Sequence, residues 1–373
     1  MAWRSCSVLC RLTGGDPFLC SVRGGRWPGG FQQRCGFKKA SRTPEPKQPE
    51  PKQPEPKQLE GLELQKWAPL PSRVPGPQQA PGPHRAFSRL IRPFFFTVGF
   101  SGCSFGAAAI WQYESLKSRV QNYFDELQAN WLEKLRPQKQ GDLRKEINEW
   151  WNSLTEGQKT VAGIIFANIL VFLAWPLVPP PIMLRYFTSN PASSSLCLPM
   201  LLSTFSHMSL FHLAANMYVL WSFSSSAVSM LGREQFLAVY LSAAVTSSFS
   251  SYLWKTATGR CVPSVGASGA IMAVLALVCT KMPEAKLAII FLPMFTFTAA
   301  NALKAIVVMD TAGLLLRWRF FDHAAHLGGA LFGIWYILFG HELIWKNREP
   351  LVKLWHDLRT QSGGRPGGPG GAV

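Results

Sequence analysis

The chain has 373 residues and a formal net charge of +17, and 47% of its residues are hydrophobic while only 16% are charged. The apolar residues are gathered in long runs, which is the profile of a membrane protein. Most of the excess positive charge lies outside those runs and therefore bears on targeting and topology. Aromatic and basic residues are not interleaved and no nucleic-acid-binding motif is present, so nucleic acid is not an expected partner.

The eight cysteines do not form a recognisable framework. None belongs to a close Cys-x-x-Cys pair, and the first four lie in a segment that we expect to be removed. Neither a disulfide scaffold nor a zinc site is predicted. They stand at Cys6, Cys10, Cys20, Cys35, Cys103, Cys197, Cys261 and Cys279.

The N-terminal region contains two segments that lie outside the apolar runs. Residues 1–43 are rich in arginine, have Asp16 as their one acidic residue and lack a long apolar stretch. This composition is typical of a mitochondrial presequence, with a disordered basic tail as the alternative. Residues 44–93 carry tandem Pro-Glu-Pro-Lys-Gln repeats and further Pro/Gly-rich sequence, which predicts a solvated polyproline-type spacer.

Seven apolar runs approach the roughly 20 residues that a helix needs to cross a bilayer. They lack the alternation of strands, so we predict an all-α polytopic membrane protein. One additional N-terminal transmembrane helix (94–111) is followed by a polar, amphipathic connecting segment (112–160), a six-helix core (161–344) and a basic Gly/Pro-rich tail (345–373). The runs cover residues 94–111, 161–178, 210–231, 236–254, 265–282, 287–309 and 324–344.

Polar residues inside these runs are the candidate functional residues, because ionisable groups are costly in a membrane and mark sites by default. His212 and Asn216 are four residues apart, so one helix face presents an imidazole and an amide together. His326 opens the last run. Both His323 with His326 and the incomplete motif at His341 suggest metal binding only weakly, and no metal ligand is predicted.

Ser268 lies between glycines at the start of its run. The Gly329-xxx-Gly333 seam of the last run allows close helix packing, and its expected partner is the face of the Ser268 helix with small residues. That face consists of Gly266, Ala267, Gly269 and Ala273. A purely structural alternative is that the small residues serve packing and Ser268 bonds its own backbone.

If these helices meet, His326 comes within hydrogen-bond reach of Ser268, which is the pairing of base and nucleophile that acyl transfer needs. The backbone N–H of Ser268 and the side chains of His212 and Asn216 are then candidates for the oxyanion hole. We find no acidic residue placed to orient the base, so the sequence predicts a dyad rather than a triad.

Three motifs occur in the order and spacing of the rhomboid intramembrane serine proteases, which the chain resembles over residues 161–344. They are Gly-x-Ser-Gly at 266–269, Ala-His-x-x-Gly-x-x-x-Gly at 325–333 and His-x-x-x-Asn at 212–216. The single helix ahead of the six-helix core resembles the mitochondrial members. The resemblance implies that Ser268 is the nucleophile, that His326 is general base and then acid, and that His212 and Asn216 complete the oxyanion hole.

The resemblance further implies that the substrates are transmembrane segments of other inner-membrane proteins and that no cofactor or metal is needed. The chain departs from the family pattern at Leu198-Pro199, where many members have Trp-Arg, and at Met272, where many place a tyrosine against the catalytic imidazole. A thioether at Met272 can still contact the ring weakly. His207 lies near the site without an assigned role. A noncatalytic rhomboid-like scaffold and a carrier or channel remain as alternatives.

A presequence places the N-terminus in the matrix, and seven spans then leave the C-terminus in the intermembrane space, with the Ser268 mouth facing the matrix. The basic tail favours the opposite side mildly. We expect a multi-pass protein of the mitochondrial inner membrane that is surrounded by the lipid bilayer. The sequence carries no indication of oligomeric state.

Overall fold

The computed structural model describes residues 87–129, 142–289 and 292–363, which belong to a unit that spans Pro75–Val373. The predicted presequence (1–43), the polyproline repeats and part of the connecting segment lie outside the described residues. The helices are α1 (Ile91–Ala129), α2 (Asp142–Ser153), α3 (Glu156–Ala174), α4 (Pro180–Tyr186), α5 (Cys197–Leu202), α6 (Leu210–Leu231), α7 (Arg233–Ala257), α8 (Ser268–Lys281), α9 (Ala299–Leu315), α10 (His323–Trp335) and α11 (Glu349–Gly363). The strands are β1 (Lys286–Ile289) and β2 (Leu292–Thr298), and a π-helical stretch, Tyr336–Trp345, leads from α10 towards α11.

Four helical stretches within the described residues are long and apolar enough to cross a membrane, and a fifth qualifies if the bent pair Cys197–Phe205 and Leu210–Leu231, at 88°, is one span. The helical, polytopic membrane fold is therefore confirmed. The predicted total of seven spans remains a prediction. The four stretches are Ile91–Asp125, Glu156–Ala174, Arg233–Ala257 and His323–Gln361.

Two of the predicted spans differ from the helices that form. In the run 265–282, α8 begins only at Ser268 and has 14 residues, which at 1.5 Å per residue is about 21 Å and short of a roughly 30 Å bilayer core. Gly266 has φ +128°, which ends any helical continuation on that side. The run 287–309 begins as the antiparallel β1–β2 hairpin and becomes helical only at Ala299.

Helices also form in the segments before and after the predicted six-helix core. Helix α1 extends beyond the predicted 94–111 at both ends, and α2 lies inside the predicted connecting segment. Three large apolar side chains of α2, Leu143, Ile147 and Trp150, are exposed, as expected for an amphipathic helix at a membrane surface. Helix α11, Glu349–Gly363, lies within the predicted tail.

Helix α8 lies at the centre of the bundle, where it packs against α6, α7 and most extensively α10. Two glycines of α10 allow this approach. A Cβ at Gly329 would lie 1.9 Å from the carbonyl oxygen of Gly269, and a Cβ at Gly333 would lie 2.2 Å from the carbonyl oxygen of Ala273. Any larger residue at these positions would overlap the backbone of α8, so the seam fixes the distance between the two helices.

Candidate active site

Ser268 is the first residue of α8. The helical hydrogen-bond ladder opens with the Ile271 N–H donating to the Ala267 carbonyl at 3.0 Å. The N–H groups of Ser268 and Gly269 precede that ladder, as at any helix N-terminus, and carry the positive end of the helix dipole. The hydroxyl and potential backbone donors for an anion therefore lie at the same helix end.

The close seam between α8 and α10 brings the buried imidazole of His326 to this hydroxyl. The His326 Nε2 lies 2.8 Å from the Ser268 Oγ, within hydrogen-bond distance. When Nδ1 carries the ring proton, Nε2 accepts the serine hydroxyl. This is the arrangement of base and nucleophile that the sequence analysis expected.

Backbone hydrogen bonds hold the loop that precedes Ser268. Ser264 and Ser189 exchange N–H···O bonds of 2.8 and 2.9 Å, and the Gly266 N–H donates to the Ser203 carbonyl at 2.9 Å. The left-handed φ of Gly266 turns the chain into α8. The serine is thus presented by a fixed loop.

The His212 ring packs against this loop, and a Cβ at Gly266 would lie 2.8 Å from its Cε1. Asn216 is buried and its Nδ2 donates to the His212 carbonyl at 2.8 Å. The structure therefore places the His212 imidazole beside the Ser268 loop, while the Asn216 amide nitrogen bonds its own helix.

His207, which the sequence analysis left without a role, lies in the same region. Its Nε2 accepts a hydrogen bond from the Ala267 N–H at 3.4 Å, and its ring lies edge-on to that of His212 with centroids 4.9 Å apart. The contact with Ala267 supports the residue directly before the serine. No spacing rule in the sequence links His207 to this loop.

A largely buried polar cluster, here called the Asp322 cluster, joins the serine loop to the helix that carries His326. It consists of Asp322, Lys255, Ser251 and Ser264. The Lys255 Nζ lies 3.0 Å from the Asp322 Oδ2, and both serine hydroxyls donate to the same oxygen. The Asp322 Oδ1 accepts from the Ala325 N–H at 3.1 Å and caps α10.

The charges and hydrogen bonds of the Asp322 cluster determine whether the Asp322 carboxyl is protonated. Burial raises the pKa of the Asp322 carboxyl, but the Lys255 charge and hydrogen bonds from Ser251, Ser264 and Lys255 outweigh that effect and lower the pKa to about 2. The carboxyl is therefore ionised at neutral pH. The ionised cluster connects α7, the serine loop and the first turn of α10.

Asp310 of α9 is fully buried and lies next to two imidazoles of α10. Its Oδ1 is 2.7 Å from the His323 Nδ1 and 3.4 Å from the His326 Nδ1. This differs from the sequence analysis, which found no acidic residue placed to orient the base. The sequence does show an acidic residue, Asp310, directly after an apolar run, but no motif connects this residue to His326.

An aromatic ring lies beside the His326 imidazole. The aromatic ring beside His326 is that of Phe321, with centroids 5.9 Å apart, whereas Met272 is partly buried on α8. Among the described residues, no three His, Cys, Asp or Glu side chains are grouped to hold a metal ion.

A small cavity next to Ser268 is lined mainly by hydroxyl groups. These belong to Ser189, Ser203, Thr204, Ser247, Ser248, Ser251 and Ser264.

Comparison with known proteins agrees with this fold. A Rhomboid domain matches residues 197–343. The human presenilin-associated rhomboid-like protein, mitochondrial, is 62% identical over 98% of this chain and 93% of its own length. The mouse protein of the same name is 65% identical over 90% of this chain and 88% of its own length. The Rhomboid protease GluP of Bacillus subtilis is 31% identical over 34% of this chain and 23% of its own length.

The chain therefore belongs to the rhomboid family of membrane proteins. Within that family it is similar to the mitochondrial presenilin-associated rhomboid-like proteins over nearly its whole length, and it is a mitochondrial membrane protein. The family resemblance drawn from the three motifs is thereby confirmed.

Proposed function

We propose that this protein is a serine endopeptidase of the mitochondrial inner membrane that cleaves transmembrane segments of other membrane proteins. The observation that carries the proposal is the 2.8 Å approach of the His326 Nε2 to the Ser268 Oγ. A serine hydroxyl is a weak nucleophile at neutral pH unless a neighbouring base takes its proton. The family membership and a relative named as a protease support the same activity.

The proposed first step is attack of the Ser268 Oγ on the scissile carbonyl carbon while its proton passes to the His326 Nε2. The carbonyl oxygen becomes an oxyanion. The Ser268 N–H, at the positive end of α8, is one donor for that charge, and the side chains of His212 and Asn216 are the others. The Asn216 Nδ2 carries two N–H groups, and since one donates to the His212 carbonyl, the second is the donor for the oxyanion.

Collapse of this intermediate breaks the peptide C–N bond, and His326 returns its proton to the leaving amine, which leaves an ester on Ser268. Water then attacks the ester carbonyl with His326 again as the base. Collapse of this second intermediate breaks the ester C–O bond, releases the new carboxyl terminus and returns the proton from His326 to the Ser268 Oγ. The hydroxyl-lined cavity beside Ser268 supplies polar partners for such a water in an otherwise apolar bundle. Gly266, Gly269, Gly329 and Gly333 support the site by close packing.

Cleavage of a reporter transmembrane segment by purified protein in lipid vesicles tests this proposal. We expect Ser268→Ala and His326→Ala each to abolish cleavage, while Ser222→Ala, at an exposed serine of α6, retains it. Cleavage that persists in either site variant would contradict the assignment. Substrate binding without cleavage by the unaltered protein would instead indicate a noncatalytic scaffold, and solute flux without cleavage would indicate a carrier or channel.

A further inference from the structure

Asp310 is a buried acid in a position that the two-residue mechanism does not use. It lies on α9, is 0% exposed and follows an apolar stretch of that helix. An acid in such surroundings is costly unless it is partnered, and it is retained where it serves a site. Its partners are the two imidazoles of α10.

The His326 ring directs one nitrogen to each side of the site. Its Nε2 faces the Ser268 Oγ at 2.8 Å, and its Nδ1 lies 3.4 Å from the Asp310 Oδ1. The Nδ1 is buried and has no hydrogen bond within the part of the chain that the structure describes. For Nε2 to accept the serine proton, Nδ1 must carry the ring proton, and Asp310 supplies an acceptor close to it.

The carboxylate has the capacity to serve both imidazoles. Its Oδ1 is 2.7 Å from the His323 Nδ1, while its Oδ2 is buried with no hydrogen bond among the described residues. A small rotation of the carboxylate provides one oxygen for each ring. His323 fits beside it because position 313 is glycine, where a Cβ would lie 2.5 Å from the His323 Nε2.

We propose that Asp310 is a positioning residue, whose carboxylate holds His326 through Nδ1 in the tautomer that deprotonates Ser268. The proposal rests on the proposed function. In the reaction, the Ser268 proton moves to the His326 Nε2, and the Nδ1 proton stays on the ring, directed at the Asp310 side chain. The carboxylate then faces an imidazolium, and the 3.4 Å contact shortens as opposite charges attract in a medium of low dielectric.

The charged and titratable groups around His326 come from several elements. Asp310 lies on α9 and His323 on the same helix as His326. His212 of α6 lies against the loop that presents Ser268, and the Asp322–Lys255 pair joins the start of α10 to α7. Asp310→Asn removes one charge and leaves His212 and the Asp322–Lys255 pair in place, so it acts on the contacts with His323 and His326.

The test is the rate at which a fluorophosphonate labels the full-length protein, measured against pH, in wild type and Asp310→Asn. The amide keeps the size of the side chain and removes its charge. We expect labelling at pH 7 to slow by about 10- to 100-fold, and the acid limb of the rate profile to move to lower pH because the imidazolium loses its counter-charge. Asp357→Asn, at an exposed carboxylate of α11, should match wild type.

Labelling of Asp310→Asn within twofold of wild type, or slowed equally at every pH, would overturn the proposal and leave Asp310 a structural residue. Asp310→Glu, which retains the charge, should restore part of the rate. If Asp310→Asn does not fold, histidine-selective ¹⁵N NMR of the wild type tests the proposal instead. A ring proton on the His326 Nε2 rather than on Nδ1 would refute the proposal. Labelling that survives Ser268→Ala would instead defeat the proposed function.

Discussion

The position of one hydroxyl depends on the backbone of the residues before it. Gly266 has a φ of +128°, and a Cβ added to it would lie 2.8 Å from the His212 Cε1. An L-residue at this φ is strained, and its side chain would enter the space that the imidazole occupies. Gly266 therefore controls both the direction in which Ser268 is presented and the position of a proposed oxyanion donor.

We expect Gly266→Ala to lower cleavage by about 100-fold, because displacement of catalytic groups by about 1 Å has that effect. Reporter cleavage measures the loss of activity. The thermal unfolding midpoint measures the loss of stability that the overlap with the His212 ring causes. Gly259→Ala is the matched control, since Gly259 also has a positive φ (+66°) but no atom within 4 Å of its Cβ position. Equal losses in both variants would show that backbone strain alone is responsible.

Residues tied to motifs could be predicted, whereas residues that reach the site only through the fold could not. Ser268 and His326 are 58 positions apart, yet the glycine seam predicted that their helices meet. Asp310 and Phe321 have no fixed spacing from His326, and their approach depends on how α9 and the following loop return to α10. His207 depends likewise on the 88° bend before α6.

At the scale of elements, hydrophobicity predicted which segments of the chain lie in the helix bundle but not the residue at which each helix begins. The run 265–282 reads as one apolar segment, although its first three residues form the loop that presents the serine. The run 287–309 is divided by Thr298, whose side chain accepts from the Asn301 N–H and caps α9. Such boundaries depend on single caps and backbone angles, which an apolar run conceals.

The glycine seam predicts the effect of a single methyl group. We expect Gly329→Ala to destabilise the protein by about 1–3 kcal/mol and to abolish cleavage, because its Cβ would lie 1.9 Å from the Gly269 carbonyl oxygen and force α10 away from Ser268. Thermal unfolding and reporter cleavage measure the two effects. Gly163→Ala, at an open helical position, should be neutral or slightly stabilising. Normal cleavage by Gly329→Ala would contradict the requirement for glycine in the seam.

The Asp322 cluster predicts a pH-dependent contribution to stability. We expect Asp322→Asn to cost about 3–5 kcal/mol at pH 7, because it leaves the buried Lys255 charge unpaired. The folded pKa of Asp322, about 2, lies below its ordinary value of about 3.9. The contribution is therefore complete above about pH 4 and is lost as pH falls through 2.

Thermal unfolding of wild type and Asp322→Asn between pH 7 and pH 3 checks this expectation, and the difference between them should narrow at the acidic end. Glu342→Gln is the control, since the Glu342–Lys346 pair is exposed and should contribute little. A difference that widens on acidification would refute an ionised Asp322.

At the scale of the whole molecule, contacts between helix ends indicate where the site opens. Arg119, late in α1, lies 3.9 Å from Glu234 at the start of α7. Lys255, at the other end of α7, pairs with Asp322 beside the serine loop. The start of α1 and the mouth of the site therefore lie at the same end of the bundle. If the N-terminus is in the matrix, the mouth faces the matrix as well.

This orientation can be tested in mitochondria with a membrane-impermeant maleimide directed at Cys261, which is exposed in the loop before Ser268. We expect labelling only after the inner membrane is permeabilised, and we expect protease to remove a C-terminal tag once the outer membrane is ruptured. Cys261→Ser identifies the labelled residue. Labelling of Cys261 from the intermembrane space would reverse the proposed orientation.

The central claim is that α8 and α10 meet so that His326 activates Ser268, and mass spectrometry of the fluorophosphonate-treated protein tests it most directly. The account predicts one phosphonyl adduct, on the peptide that contains Ser268, and its disappearance in His326→Ala. An adduct on a different serine, or an adduct on Ser268 that forms at the wild-type rate without His326, would contradict the account.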